Sequence, residues 1–493
     1  MIALKLSPTD SVAVALDDIT PGDTVSVDAQ QLPATTAVPA GHKIALYPIA
    51  AGEDVIKYGW PIGHATADVA AGAWVHSHNL TTNLGANLDY IYQPTTPTQT
   101  TPPSSPLTFA GYHRANGDVG VRNDLFIVPT VGCINGTVDA IARQFEAQGI
   151  GPFTSVVVAR HPHGCSQLGG DLANTRLILQ DVIRHPNAGG ALVVGLGCEN
   201  NQLDQLREGL GEYDEQRVKF MITQDVEDEY AAAAALLQEL RDAAQNDTRT
   251  ETPLSQLRIG LKCGGSDGFS GITANRLLGH FSDYLIAQGG SAVLTEVPEM
   301  FGAEHLLMGR ARSQVVFDDI VDMINGFKDY FRRYNQPIYE NPSPGNKQGG
   351  ITTLEEKSLG CTQKSGTSPV VDVLGYGERL RRPGLTVLQA PGNDMISSCA
   401  LASAGCQIVL FTTGRGTPFG TYVPTIKVSS NTDLATRKPT WIDFDAGVLL
   451  HQPLQDVLSR FIDLVIDVAS GRPTRNETGG MREIAILKDG VTE

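Results

Sequence analysis

The sequence predicts a multidomain α/β protein fronted by a small all-β module. Three observations carry that prediction. The first 92 residues break into short apolar segments bounded by turns, a run rich in Pro, Thr and Ser follows, and the remainder alternates buried strands with helical spacing.

In the N-terminal unit, "SVAVAL", "TVSVD", "HKIALYPI", "DVIKYG" and "AWVHSHN" read as strands, punctuated by turn pairs such as Pro21-Gly22 and Ala51-Gly52. The alternation over Thr24 to Asp28 predicts one buried and one exposed face. No helix is expected there. Gln93 to Leu107, "QPTTPTQTTPPSSPL", has little to bury and predicts an extended linker.

Beyond the linker, "NDLFIVPTVGCING", "FTSVVVARHPHGCSQ" and "GALVVGLGCENN" each predict a strand, a glycine-cysteine turn and the start of a helix. Parallel strands with crossover helices follow from that rhythm. The polar stretch Gln245 to Gln256 marks a second boundary. A further α/β unit then opens at "LRIGLKCGGSDG" and continues through strands at "SAVLTEV", "LTVLQAP" and "CQIVLFTTG". It closes on the amphipathic "DVLSRFIDLVIDVASG". The expected units are residues 1–92, a linker at 93–107, and α/β domains at 108–250 and 251–493.

Composition narrows the function. The chain of 493 residues is 41% apolar and 18% charged, with a net charge of -17. Nonspecific binding to nucleic acid or an anionic membrane is not expected of such a field, and an anionic substrate needs locally placed Lys or Arg. The N-terminus "MIALKLSPTD" has no signal-peptide pattern, and no apolar run approaches the ~20 residues of a membrane helix. Seven scattered cysteines argue against a disulfide framework. The expected location is the cytoplasm, with the thiols reduced.

The stretch "KCGGSDGFSG" stands between a strand and a helix, where glycine turns cradle anions. It lacks the Gly-Lys-Ser/Thr of a P-loop, and Gly265, Gly268 and Gly271 are evenly spaced rather than arranged as G-x-G-x-x-G. Glu296 alone mimics a ribose-binding acid. In an open parallel sheet, however, ligands sit beyond the carboxyl ends of the strands. Asp267 follows one strand, and Glu296 and Glu299 follow the next, so three carboxylates meet at one rim if the strands are neighbours. Such a set suits a divalent cation; helix capping is the plainer role for each.

Other groups compete for the same duties. "VHSHN" predicts His76 and His78 on one face of a strand, a rival pair of metal ligands. His42 stands beside Lys43 in "GHK", and His161 and His163 precede Cys165 in "RHPHGC". Cys133, Cys165, Cys198 and Cys263 all occupy glycine turns at strand ends, an arrangement open to a labile iron–sulfur cluster although ferredoxin-type spacing is absent. Small buried cysteines are the commoner reading of such turns. Lys347, Lys357, Lys364 and Arg415 lie in polar, glycine-rich segments predicted as loops. Arg415 at a strand end suits bidentate capture of a carboxylate.

Nine segments in order resemble the altronate/galactarate dehydratase family: "GHKIAL", "VIKYGWPIG", "ANGDVGVRN", "HGCSQLGGD", "GLGCENNQ", "CGGSDGFSGITAN", "LTEVPEMFGAE", "YENPSPGNKQGGITTLEEKSLGCTQKSG" and "FTTGRGTPFGTYVPTIK". The resemblance runs from residue 10 to the end. It implies a β-clip (SAF-like) N-terminal module, a middle domain used for dimerisation or higher homo-oligomerisation, and a Rossmann-like C-terminal variant with a metal site. It also implies an iron(II)- or manganese-dependent hydro-lyase that converts D-altronate to 2-dehydro-3-deoxy-D-gluconate in hexuronate breakdown. "VHSHN" and "GCTQKSG" resemble the altronate branch more than the galactarate branch. A sulfolactate lyase branch shares many of these loops.

For such a reaction the expected metal ligands are Asp267, Glu296, Glu299 and Cys263, with His76 and His78 the rival set. Lys347, Lys364 and Arg415 are expected to hold substrate oxygens, and His42 and Lys43 to serve as acid or base on a module that closes over the site. A non-enzymatic sugar-acid-binding protein and a nucleotide-dependent oxidoreductase are the readings from other classes.

Overall fold

A computed structural model describes residues 1–85, 90–95 and 106–493. Most of the expected linker lies outside the described residues. The N-terminal module is all-β, with no helix among residues 1–85. Antiparallel strands Ala3–Leu4, Val12–Ala15, Lys43–Ala45 and Trp74–Val75 form one sheet; Asp54–Lys57, Trp60–Ala65 and Leu80–Thr81 form another. Strand Thr24–Val27 alternates outward and inward side chains as its sequence predicts. Lys57 pairs with Trp60 across the two-residue turn Tyr58-Gly59, where both residues have positive φ, 60° and 81°. That is the mirror-image hairpin turn, and Gly59 supplies it without strain.

The polar boundary stretch is structured at its end: Thr250–Pro253 pairs with Thr108–His113, which also pairs with Val119–Gly120. The middle domain is built on four parallel strands in the order Val156–Val158, Asp124–Pro129, Ala188–Gly195, Val218–Ile222. The C-terminal sheet has seven parallel strands: Val370–Leu374, Gly384–Leu388, Ser291–Leu294, Arg258–Cys263, Ile408–Thr413, Thr425–Ser429 and Phe444–Asp445. Its central strands are buried almost throughout because helices cover both faces. Helix Leu454–Ala469 buries Val457, Phe461, Leu464, Val465 and Val468, the stripe its spacing predicts.

The two α/β domains share a core. Phe126, Val128 and Ile178 of the middle domain belong to one apolar cluster with Leu388, Ala400, Val409 and Tyr422. Arg122, fully buried, locks the seam: its five N–H groups reach Glu477 Oε1 and Oε2 at 2.8 and 2.9 Å and the carbonyls of Val121, Val468 and Arg472 at 2.8, 2.8 and 2.9 Å. Every donor is satisfied, which makes the burial tolerable. No helix among the described residues is long and apolar enough to cross a membrane.

Removing one partner of such a pair strands the other charge. Arg122→Leu should therefore lower unfolding stability by about 3–5 kcal/mol, measured by denaturant titration; a change below about 1 kcal/mol would show the seam to be held by apolar contact instead.

Candidate functional site

In the C-terminal sheet, strand Arg258–Cys263 pairs with Ser291–Leu294 on one side and Ile408–Thr413 on the other. The chain therefore leaves this strand in one direction and later returns to its opposite side. The loop after Cys263, the heart of "KCGGSDGFSG", stands at that switch point, where parallel sheets bind ligands.

Cys263 ends its strand with its side chain turned into the interior. There Cys263 Sγ lies 3.2 Å from Glu299 Oε2 and 3.2 Å from Cys361 Sγ, and Cys361 Sγ lies 3.1 Å from the same carboxylate oxygen. These three buried residues are the only group of three His, Cys, Asp or Glu ligand atoms within 4.8 Å of one another among the described residues. Lys357 Nζ holds Glu299 Oε1 at 2.8 Å. Burial alone raises the Glu299 carboxyl, but the ammonium groups of Lys357, Lys262 and Lys364 outweigh it and hold the group well below its usual range. The thiol–thiol contact with Cys263, together with burial, pushes the Cys361 thiol well above its ordinary value.

The other expected ligands are not brought into this group. Glu296 is fully buried and ion-paired, its Oε1 to Lys262 and its Oε2 to Lys364 at 2.8 Å. It also accepts Cys263 N–H at 3.1 Å and adopts φ 72°, a left-handed conformation that only firm surroundings hold in a non-glycine residue. Lys364 is thus withdrawn onto Glu296. Asp267 is engaged elsewhere, accepting from Ser270 Oγ and Ser430 Oγ at 2.8 Å and from Asn431 Nδ2 at 2.9 Å. Burial raises the Asp267 carboxyl, and these hydrogen bonds oppose the rise.

The segment expected as a long loop is instead partly helical. Thr353 caps helix Leu354–Thr362, its hydroxyl accepting Glu356 N–H at 3.3 Å. The Thr-x-x-Glu spacing of "TLEE" is the sequence signal for that start. Lys357, Cys361 and Lys364 follow at i, i+4 and i+7, so helical periodicity turns all three toward Glu299 and Glu296.

The N-terminal module seats against this helix. Glu356, fully buried, accepts Lys43 Nζ at 2.8 Å and Lys57 Nζ at 2.7 Å. Lys43 Nζ also donates to Gly350 O and Thr352 Oγ1, both at 2.8 Å. Burial brings the Lys43 ammonium down to about 8. Burial favours a neutral Glu356, and the two ammonium groups override it, holding the carboxyl at about 2. A Cβ at Gly268 or Gly350 would collide with the Gly41 carbonyl oxygen, so both loops need glycine to meet the module.

His42 and His76 lie beside this seam. His42 Nδ1 accepts from Trp74 Nε1 at 3.2 Å, so its Nε2 carries the proton toward Gln348 O at 3.2 Å. His76 Nδ1 meets Thr352 Oγ1 at 3.0 Å, and burial brings its pKa down to about 4. "VHSHN" does not continue as a strand: the strand ends at Val75 because Asn79 closes a turn on His76 N–H, and His78 points outward, exposed. Arg415 Nη2 donates to Gln348 Oε1 at 2.8 Å, and Arg415 and Lys347 are both exposed. His161 is buried and donates to Pro129 O at 2.8 Å.

Between module and helix lies a narrow cavity of about 10 Å³, lined by Lys57, Tyr58, Asp267, Glu356, Lys357 and Cys361 among others. That is the limit for one water. Cys361, Glu356, Lys57, Lys262 and Thr352 were not singled out from the sequence. Cys361 and Glu356 had a signal in the helical spacing just described; Lys57 and Lys262, in apolar strands, look like ordinary strand-end lysines.

Three family profiles match consecutive stretches: "Altronate/galactarate dehydratase SAF domain" over residues 1–83, "D-galactarate dehydratase/Altronate hydrolase, second domain" over 111–245, and "D-galactarate/Altronate dehydratase, C-terminal" over 254–492. The chain is 56% identical to an altronate dehydratase of Bacillus subtilis (strain 168), with 99% of each chain covered. The chain belongs to the altronate/galactarate dehydratase family. An altronate dehydratase of Escherichia coli (strain K12) is 55% identical, again over 99% of each. A galactarate dehydratase (L-threo-forming) of the same organism is 32% identical over 95% of this chain and 93% of its own. Membership makes the chain an enzyme, a carbon–oxygen hydro-lyase with an N-terminal SAF domain.

The Lys43–Glu356–Lys57 triad has a clear linkage to pH. Glu356 is held near 2 against an ordinary value of 4.5, so its stabilisation is complete above 4.5 and fades as pH falls toward 2. Acid titration followed by limited proteolysis should release the N-terminal module within that window. Glu356→Gln should release it at neutral pH, at a cost of about 3–5 kcal/mol, since two buried ammonium groups lose their counterion.

Proposed function

We propose that this hydro-lyase dehydrates D-altronate to 2-dehydro-3-deoxy-D-gluconate, with a divalent metal, iron(II) before manganese, held by Cys263, Glu299 and Cys361. The convergence of two thiols and a carboxylate beside a lysine-lined cavity carries the metal reading. Thiolate-rich sets favour iron(II) and zinc, whereas manganese prefers carboxylate and water. Full-length identity of 55–56% to altronate dehydratases, against 32% to a galactarate dehydratase, supports the substrate.

Dehydration of a 2,3-dihydroxy acid removes the proton next to an ionised carboxylate and expels the neighbouring hydroxyl. A bound metal would supply positive charge for the developing enediolate. The protein's own groups handle the rest. The exposed Arg415 and Lys347 meet the incoming carboxylate, with Arg415 steadied by Gln348 and Gln348 by His42. Lys57 faces the cavity, and Glu356 joins it to Lys43, giving the abstracted proton a continuous path to the amine of the pair more ready to be neutral. Lys262 and Lys364 hold Glu296, which positions Cys263 through its backbone N–H.

The cavity has no room for a six-carbon acid, so the N-terminal module opens to admit substrate and closes to exclude water.

Anaerobic assays with D-altronate and galactarate, iron(II), a thiol reductant and a chelator control test the reading. The expected result is chelator-sensitive 2-keto-3-deoxy product from altronate. Glu299→Gln and Cys361→Ser should lose bound iron by metal analysis as well as turnover; full iron retention in both would remove these ligands from consideration. Because Lys43 must be neutral to accept a proton, kcat/KM should rise about tenfold per pH unit up to about 8 and then level. Lys43→Arg should abolish that limb.

A further inference from the structure

The seven cysteines divide by environment. Cys263, Cys361, Cys399 and Cys406 are buried, as free thiols ordinarily are, whereas Cys133, Cys165 and Cys198 are exposed. The exposed three share one rim. The middle sheet sets Asp124–Pro129 between Val156–Val158 and Ala188–Gly195, and each cysteine stands in the loop leaving the carboxyl end of one of these strands. The chain departs from the central strand toward one neighbour and returns across it to the other. This rim is therefore a second switch point, apart from the site described above.

The three loops are tied together by their backbones. Gly132 N–H donates to His163 O at 2.8 Å, Asn201 N–H to Gly164 O at 2.9 Å, and Asn201 Nδ2 to Thr130 O at 3.1 Å. A Cβ at Gly164 would collide with the Thr130 carbonyl oxygen, so the loops bearing Cys133 and Cys165 touch directly. Helices Asn135–Ala147 and Gly169–Ile183 begin just after Cys133 and Cys165, and neither has a side-chain cap. Helix Asn135–Ala147 continues the one-turn helix Gly132–Ile134, and the positive ends of both helices lie at the rim, where they favour an anion. Gln167, 2% exposed, accepts Gly164 N–H at its Oε1 while its Nε2 has no partner, and Asn135 Oδ1 is also buried without one.

We propose that Cys133, Cys165 and Cys198 bind a [4Fe–4S] cluster at this rim. One zinc or iron ion draws its thiolates close at about 2.3 Å from the metal, and these three do not form so tight a group. A cubane spreads its ligands over separate iron atoms, and its fourth iron here has no cysteine and faces solvent. Binding exchanges three thiol protons for three iron–sulfur bonds and leaves an anionic cluster beside two helix N-termini. Cys263, buried against Cys361 in the other sheet, is not a ligand, so the four strand-end cysteines do not act as one set.

The full chain, incubated without oxygen with ferrous and ferric iron and sulfide, should take up about four sulfides and, counting the iron at Cys263, Glu299 and Cys361, about five irons, with the visible absorption of a cubane. Cys133→Ser, Cys165→Ser and Cys198→Ser should each lose most of the sulfide and absorption while keeping the parent melting temperature; Cys263→Ser should keep both. If a variant fails to fold, the parent chain answers instead: the loaded protein should resist alkylation at these three thiols and the unloaded protein should not. Uptake unchanged in the three variants, iron without sulfide, no uptake at all, or equal alkylation of both forms would each overturn the proposal.

Discussion

The shared carboxylate of Glu356 is the interaction on which the arrangement of the site depends. Two lysines of the N-terminal module, Lys43 and Lys57, meet it with no water to replace it, since all three side chains are essentially inaccessible. Loss of the carboxylate leaves two buried ammonium groups, so the module's seat is specified rather than merely favoured. Everything at the seam follows from that seat: His42 reaches Gln348, Thr352 is shared by Lys43 and His76, and Tyr58 closes the cavity beside Cys361.

A second ion network organises the floor. Lys262, Lys364 and Lys357 bring three positive charges to Glu296 and Glu299, in a chain whose net charge is -17. Asp394 also pairs with Lys262, at 2.8 Å, so three lysines meet three carboxylates and the floor is neutral in a molecule that is strongly negative as a whole. The strained φ of Glu296 is held by the same contacts, and it places this carboxylate between two lysines rather than among the thiols.

Both α/β domains repeat one device. In each, the strand that opens the sheet has the next strand in sequence on one side and a later one on the other, and a cysteine stands at or just beyond its carboxyl end. The C-terminal domain buries that cysteine beside Cys361; the middle domain exposes it with two others. The same topology thus presents one closed thiol site and one open one.

The sequence by itself determined the all-β front module, the alternating strands and helices, and the rim on which carboxylates and cysteines fall. These are local properties: turn residues and strand and helix periodicity depend only on near neighbours. Only the tertiary structure decided which side chains meet. Cys263 and Cys361 are separated by 98 residues, and Lys57 and Glu356 by 299. Which of Asp267, Glu296 and Glu299 joins the thiols depends on side-chain direction at the rim and on lysines arriving from other elements. His76 and His78, two residues apart, part company because a turn replaces the expected strand. Ion pairing and burial are set by distances across the folded chain, and those distances are not written in any short stretch of it.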